Sequence, residues 1–138
     1  MHDNLTDFDL DIGTAERSIH QVHELIHTVF TQPSGAQAAL QALMPQFSPE
    51  FSMVTTTGRL VGLNDVEQMF QRAAGQRPGL KISVSDVQPV WRDAAGLAMR
   101  YLETHRLDGV ETSRRSVVIL KRAGQGVLWH YLHETALG

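Results

Sequence analysis

Cysteine is absent from the 138 residues, which excludes disulfides, thiolate metal sites and a cysteine nucleophile. A basic excess is absent too. Lys and Arg number 12 against 15 Asp and Glu, a formal charge of −3, which suits poorly a protein that must neutralise nucleic-acid phosphates. The longest clean apolar run, Val117-Val118-Ile119-Leu120, falls far short of the roughly 20 residues a membrane-spanning helix needs. Asp3, Asp7, Asp9 and Asp11 near the start are the opposite of a basic-then-apolar secretory signal. Internal repeats, linkers and low-complexity tracts are also missing. The expectation is one soluble, cytoplasmic domain over residues 14–138, with no nucleic-acid or membrane partner. An acidic segment, 1–13, precedes it, and its order the sequence leaves open. A chain of this length buries roughly two-thirds of its unfolded surface, enough for a core without staples.

Helices come first and strands later. Thr14 reads as an N-cap, with Ala15 and Glu16 in the first turn. Ala15, Ile19, Val22, Ile26, Val29 and Phe30 then recur on one helical face until Pro33 stops the helix. Ser34 and Gln37 have capping-box spacing for a short second helix carrying Ala36, Leu40 and Leu43. Residues 51–55 are β-prone, and Gly58 turns the chain before Arg59-Leu60-Val61. Asn64 and Glu67 read as the cap and third residue of a third helix, with Val66, Met69, Phe70 and Ala73 on its buried side. From Leu80 the pattern becomes four long strands, about 80–91, 96–106, 111–121 and 127–136. Their separators are Asp93-Ala94, Asp108-Gly109 and Gly124-Gln125-Gly126, connections short enough to make antiparallel neighbours. The expected fold class is α+β. Three N-terminal helices pack on a strongly curved mixed or antiparallel sheet that ends in a four-strand meander and encloses a conical pocket.

Register follows from the turns. A two-residue turn at Asp108-Gly109 pairs Leu107 with Val110, so Met99 faces Val118, Tyr101 faces Ser116 and Glu103 faces Arg114. An even loop at Gly124-Gln125 makes Leu120 face Trp129, Val118 face Tyr131, Ser116 face His133 and Arg114 face Thr135. Alternation puts all of these on one side of the sheet. That side is apolar at Leu97, Met99, Val118, Leu120 and Trp129, and polar through the Tyr101–Ser116–His133 and Glu103–Arg114–Thr135 rows. An apolar floor with few convergent polar groups is how a small-molecule pocket is built. The expected ligand-binding residues are therefore Met99, Tyr101, Glu103, Arg114, Ser116, Val118, Trp129, Tyr131 and His133. Asp86 joins the Tyr101 row if the parity of Ile82 and Val84 faces the helices. The other face carries Arg100, Leu102, Thr104, Arg106, Arg115, Val117, Ile119, Leu132 and Glu134. Such a mixed surface suits burial against a second copy, so a homodimer through the outside of the sheet is expected.

The order of elements resembles the nuclear transport factor 2-like superfamily, the cystatin-like α+β cone. Three segments are similar to its SnoaL-like branch of unknown function: Phe47-Ser48-Pro49-Glu50-Phe51-Ser52-Met53-Val54 followed by Gly58, Gly62-Leu63-Asn64-Asp65-Val66, and the ending Trp129-His130-Tyr131-Leu132-His133-Glu134-Thr135. The likeness covers roughly residues 14–137. It implies a pocket between the concave sheet face and the helices, and often a dimer. It does not imply one activity, because members include isomerases, dehydratases, cyclases, epoxide hydrolases and non-catalytic binders.

The residues offer proton-transfer chemistry. Asp86 or Glu103 is the candidate base, Tyr101 the donor to a developing oxyanion, His133 the proton shuttle, and Arg114 the anchor for a substrate carboxylate. Simpler readings stand beside these. Glu103 and Arg114 also make an ordinary cross-strand ion pair, and Tyr101 and His133 also make satisfied core hydrogen bonds. His20, His23 and His27, with Glu16, form a stripe along helix 1. The outer two histidines lie roughly 10 Å apart along the axis, so the stripe reads as a solvated or interface flank and no metal is expected. Ser116 has no nucleophile elbow, and the glycines cradle no phosphate, so no cofactor is expected. The first functional expectation is a domain binding a small apolar or amphipathic ligand. The alternatives are a SnoaL or ketosteroid isomerase-like enzyme, and a purely structural dimerisation domain.

Overall fold

The computed structural model describes residues 7–138. Its elements are α1 (Asp7–Thr31), α2 (Ala36–Leu43), a 3-10 turn (Met44–Gln46), β1 (Phe47–Val54), β2 (Leu60–Gly62), α3 (Leu63–Ala73), β3 (Lys81–Arg92), β4 (Gly96–Leu107), β5 (Val110–Ala123) and β6 (Gly126–Leu137). The fold is the expected α+β arrangement, with the six strands in the order β2-β1-β6-β5-β4-β3. The last four make the meander. β1 hairpins with β2 and runs parallel to β6, so the sheet is mixed.

The helix starts differ from the sequence expectation. α1 begins at Asp7 rather than after a cap at Thr14. Acidic residues suit the positive N-terminal end of a helix, and Asp11 takes a two-pronged ion pair from Arg122 with Arg92 beside it. The first six residues of the acidic segment lie outside the described residues. The Ser34–Gln37 box does not form, because Gly35 holds the N-cap position of α2. At α3 the cap is Gly62, whose N–H donates to Asp65 Oδ2 at 3.0 Å, displacing the Asn64–Glu67 pair. Val66 and Phe70 of α3 are buried, whereas Met69 is 42% exposed.

Asp108 (φ 53°) and Gly109 (φ 78°) form the left-handed turn pair that a two-residue hairpin favours. The β4–β5 register follows from it: Met99–Val118, Tyr101–Ser116 and Glu103–Arg114 are direct partners. Between β5 and β6 the expected register holds from Ala123–Gly126 to Leu120–Trp129 and then slips, so that Ile119 pairs with Tyr131. His130 is the extra residue of a bulge, and one extra residue reverses the facing of everything beyond it. Leu132 and Glu134 therefore face the helices, while Tyr131, His133 and Thr135 turn outward, the reverse of the expectation. Ser48 Oγ of β1 and His130 Nδ1 share a hydrogen bond at 3.3 Å beside the place where the β1–β6 ladder also slips.

A second bulge lies in β3 between Ser85–Leu102 and Gln88–Arg100. Asp86 occupies it at φ 53°. Its side chain points outward to Arg115 Nη1 at 2.9 Å, so Asp86 does not join the Tyr101 row. A bulge rather than the length of the following turn sets this.

The core lies between α1, α2, α3 and the concave face, around Ile19, Leu43, Met99, Val118, Leu120 and Trp129. Gly96 is where two strands approach most closely: a Cβ there would collide with the Leu120 carbonyl oxygen, with Lys121 Cα at 3.2 Å. Both obstacles are backbone and cannot rotate away. Gly96→Ala is expected to cost about 1–3 kcal/mol by overpacking. Gly126→Ala, whose nearest neighbour is Ala123 O at 3.9 Å, is expected to stay near wild type. Urea denaturation of both variants measures the difference.

Candidate functional site

A cavity of about 420 Å³ separates the concave face from α1 and α3. Half of its lining is apolar, with Ile26, Phe30, Phe47, Phe51, Phe70 and Leu132 among these residues, and Trp129 lines it as well. His23, Glu103, His105, Arg114 and Glu134 gather on the sheet side. Alternation along β4 delivers Glu103 and His105 to the same face, and the His130 bulge delivers Glu134. A second, larger groove of about 760 Å³ runs along the outer flank of α1 beside Lys81–Val84. It is more open, and His20, Glu24, Lys81, Arg106 and Glu111 on its walls are exposed. Enclosure and buried polar groups make the smaller cavity the candidate.

Glu103 sits at the centre of the polar cluster, 5% exposed. His23 Nε2 donates to its Oε1 at 3.0 Å and His105 Nε2 to its Oε2 at 2.5 Å. His23 Nδ1 donates to the Ile19 carbonyl at 2.7 Å. Acceptors at both ring nitrogens require two ring protons, which makes the pair an imidazolium and a carboxylate. Burial alone would raise the Glu103 pKa, but hydrogen bonds from His105 and His23, and their charge, hold it well below the carboxylate range. Burial likewise works against a charged His23, yet Glu103 and the Ile19 carbonyl prevail and raise its pKa. The edge of one ring meets the other where His23 packs on Tyr101, with centroids 5.2 Å apart.

Arg114 and Glu134 form a second pair, at 3.5 Å. Here burial dominates and raises the Glu134 pKa, against the opposing pull of Arg114. Tyr101 Oη and Ser116 Oγ are wholly buried on facing residues and act weakly on each other, without a hydrogen bond of full geometry to any described residue. Burial, then the charges of Glu103 and Glu134, keep the Tyr101 phenol neutral.

The structure thus brings together only part of the expected site. Met99, Tyr101, Ser116 and Val118 lie wholly buried in the floor behind the cavity, and Glu103, Arg114 and Trp129 line it. Tyr131 and His133 lie on the outer face, their side chains joined at 2.9 Å, because of the bulge. Asp86 is on the outer face as well. Glu103 and Arg114 are Cα partners, but their charged groups pair elsewhere, with the two histidines and with Glu134. The histidine stripe divides three ways: His20 is exposed, His23 enters the core, and His27 Nε2 donates to the Leu80 carbonyl at 2.8 Å. Among the described residues no three His, Asp or Glu side chains are grouped to hold a metal ion.

Sequence reasoning missed His23, His105 and Glu134. His23 follows Ile19 by four and precedes Ile26 by three, which is the buried face, and His105 shares the parity of Glu103. Both signals were present. Glu134 depended on a bulge with no local signature.

No family profile matches the chain, and no curated protein is similar to it in sequence. Solved structures are similar. An NTF-2 like protein of unknown function from Pseudomonas aeruginosa is 30% identical, with a TM-score of 0.84 over 91% of this chain and 99% of its own. A candidate dehydratase of the NTF2-like family from Streptomyces avermitilis gives 0.75 at 10% identity, covering 94% and 99%. The CamKII hub homology domain from Chlamydomonas reinhardtii gives 0.67 at 13% identity, covering 91% and 98%. The chain belongs to the NTF2-like superfamily.

Linkage fixes how the buried pair responds to pH. Glu103, with its lowered pKa, adds stability that is present above its ordinary 4.5 and is lost as pH falls through the folded value. His23, with its raised pKa, adds stability that is present below its ordinary 6.5 and is lost as pH rises through the folded value. The contribution is therefore greatest between these two ordinary values and declines on the alkaline side. Glu103→Gln is expected to cost about 3–5 kcal/mol, the usual result of orphaning one buried charge, and to flatten the alkaline decline. Urea denaturation across pH checks both.

Proposed function

We propose that the chain is a single cytoplasmic domain of the SnoaL-like branch that binds a small apolar or amphipathic molecule in the cavity between α1, α3 and the concave face. The supporting observation is the cavity itself: about 420 Å³, within the roughly 300–1,000 Å³ of small-molecule sites, with an apolar half to its lining and a cluster of buried polar groups on the sheet side. Protein interiors otherwise pack to crystal-like density, so a void of this size weighs against a purely structural domain. No described helix is long and apolar enough to cross a membrane, and the charge of −3 weighs against a nucleic-acid partner.

One observation favours an acid–base enzyme as the second reading. Glu134 is a cavity carboxyl with a raised pKa beside a cation, the tuning a proton-transfer group needs. The likeness to a candidate dehydratase points the same way. Glu103 suits the role less well, since both its oxygens are occupied and its proton affinity is low.

The outer face supports self-association. Trp91, Ala98, Ile119 and Tyr131 pair in register across β3–β6, an apolar row with Trp91 57% and Ile119 39% exposed. The hub homology domain among the similar structures is in keeping with assembly. Sedimentation should give twice the chain mass for the wild type and the single mass for Ile119→Asp.

Of the two tryptophans, Trp129 lines the cavity and Trp91 lies outside. In a Trp91→Phe chain, N-phenylnaphthylamine, a neutral apolar probe, is expected to bind one per chain and quench Trp129. Met69→Tyr, which narrows the mouth without adding a tryptophan, is expected to weaken that binding several-fold. Absence of saturable quenching would exclude the cavity as a ligand site.

A further inference from the structure

The mouth of the cavity carries three cations that the ligand reading leaves unused. Arg59 follows the β1–β2 turn, Arg72 lies in the last turn of α3, and Arg77 lies in the connection from α3 to β3; all three line the cavity, and Arg59 and Arg72 are exposed to solvent. The backbone beneath two of them is pinned. Thr55 N–H donates to the Arg59 carbonyl at 2.9 Å, and Arg77 N–H donates to the Phe30 carbonyl at 2.9 Å. Their guanidinium groups have no carboxylate within ion-pair distance among the described residues.

Among the described residues the acid beside these arginines is Asp65, and its Oδ2 already accepts from Gly62. Deeper in, the charges cancel: His23 against Glu103, Arg114 against Glu134. The cationic excess is therefore confined to the rim of an apolar chamber, on a chain of net charge −3. A guanidinium presents a planar fork of donors that matches the oxygens of phosphate or carboxylate. Three of them converging on a low-dielectric opening focus a positive potential there.

We propose that the ligand is a lipophilic anion, whose apolar body fills the cavity and whose phosphate or carboxylate group is held at the rim by Arg59, Arg72 and Arg77. This rests on the cavity being the ligand site. The inner polar groups are left to recognise whatever polar atom the apolar body carries at its far end.

The test is displacement of N-phenylnaphthylamine by octyl phosphate, octanoate, octanol and octyltrimethylammonium. It is run on the wild type and on the triple variant Arg59→Gln, Arg72→Gln, Arg77→Gln. Octyl phosphate or octanoate is expected to displace the probe at roughly one-tenth the concentration of octanol or less, as three exposed charge contacts together allow. The preference should shrink with added salt and vanish in the triple variant, which should still bind the neutral probe as the wild type does. Phosphate ahead of octanoate would assign a phosphorylated ligand, and the reverse a carboxylic acid. Equal displacement by octanol, tighter binding of octyltrimethylammonium, or an unchanged preference in the triple variant would overturn the anion assignment alone. If the neutral probe itself fails to bind the wild type, the cavity reading falls and this proposal falls with it.

Discussion

The buried contact between His23 and Glu103 joins residues 80 positions apart and sets where α1 lies on the sheet. Taking two charges out of water costs several kcal/mol per ion after relaxation. Here the cost is offset by using every available site: both imidazole nitrogens and both carboxylate oxygens are occupied. Five residues earlier on α1, Ser18 Oγ accepts from Trp129 Nε1 at 3.0 Å. Two directional contacts on one helix leave it neither free to slide nor free to rotate. The space between α1 and α3 consequently stays open, since α1 cannot move in to fill it. The cavity wall is then preorganised by groups that have no freedom of their own, the condition a precise binding site requires.

Much of this was legible in the residues, and the exceptions have identifiable causes. Asp108-Gly109 set the β4–β5 register because only one turn geometry suits that pair, and every facing pair on those strands followed. Gly124-Gln125 did the same for β6 as far as Trp129. Beyond that point a single inserted residue, His130, exchanged Tyr131, His133 and Thr135 for Leu132 and Glu134. Nothing local marks it. The bulge answers the Ser48 contact and the β1 ladder, a strand more than 70 positions away in the sequence. Asp86 has a similar history, displaced by a left-handed residue in the middle of a strand. His23 is different, since its position among Ile19, Val22 and Ile26 already placed it on the buried face. The regular spacing of His20, His23 and His27 hid this by suggesting one shared environment for three residues that have three.

The site divides into layers of decreasing electrostatic compensation. Glu103 is fully matched and holds its charge, which ties it to the architecture of the helix–sheet contact. Arg114 and Glu134 are matched less closely, at 3.5 Å, and burial outweighs the pull of Arg114 to raise the proton affinity of Glu134. Tyr101 and Ser116, in the floor behind the cavity, keep hydroxyls without a full hydrogen bond among the described residues. The rim arginines have no carboxylate partner among the described residues. Such a gradient runs opposite to what stability alone would favour, because unpaired cations and orphaned hydroxyls each cost free energy that substitution could remove. Interactions that a folded chain leaves unmade are the ones available to a ligand.

Net charge and local charge therefore lead to different conclusions about partners. The excess of acids over bases argues against a polyanionic surface as partner, because a nucleic acid meets the chain over a broad area and senses its average field. A small anion does not. It meets only the opening, where three arginines face one engaged carboxylate, and within a Debye length of about 8 Å at physiological salt that local balance decides the interaction. The composition that weighs against one class of anionic partner is thus compatible with another. The difference lies in the size of the partner relative to the patch.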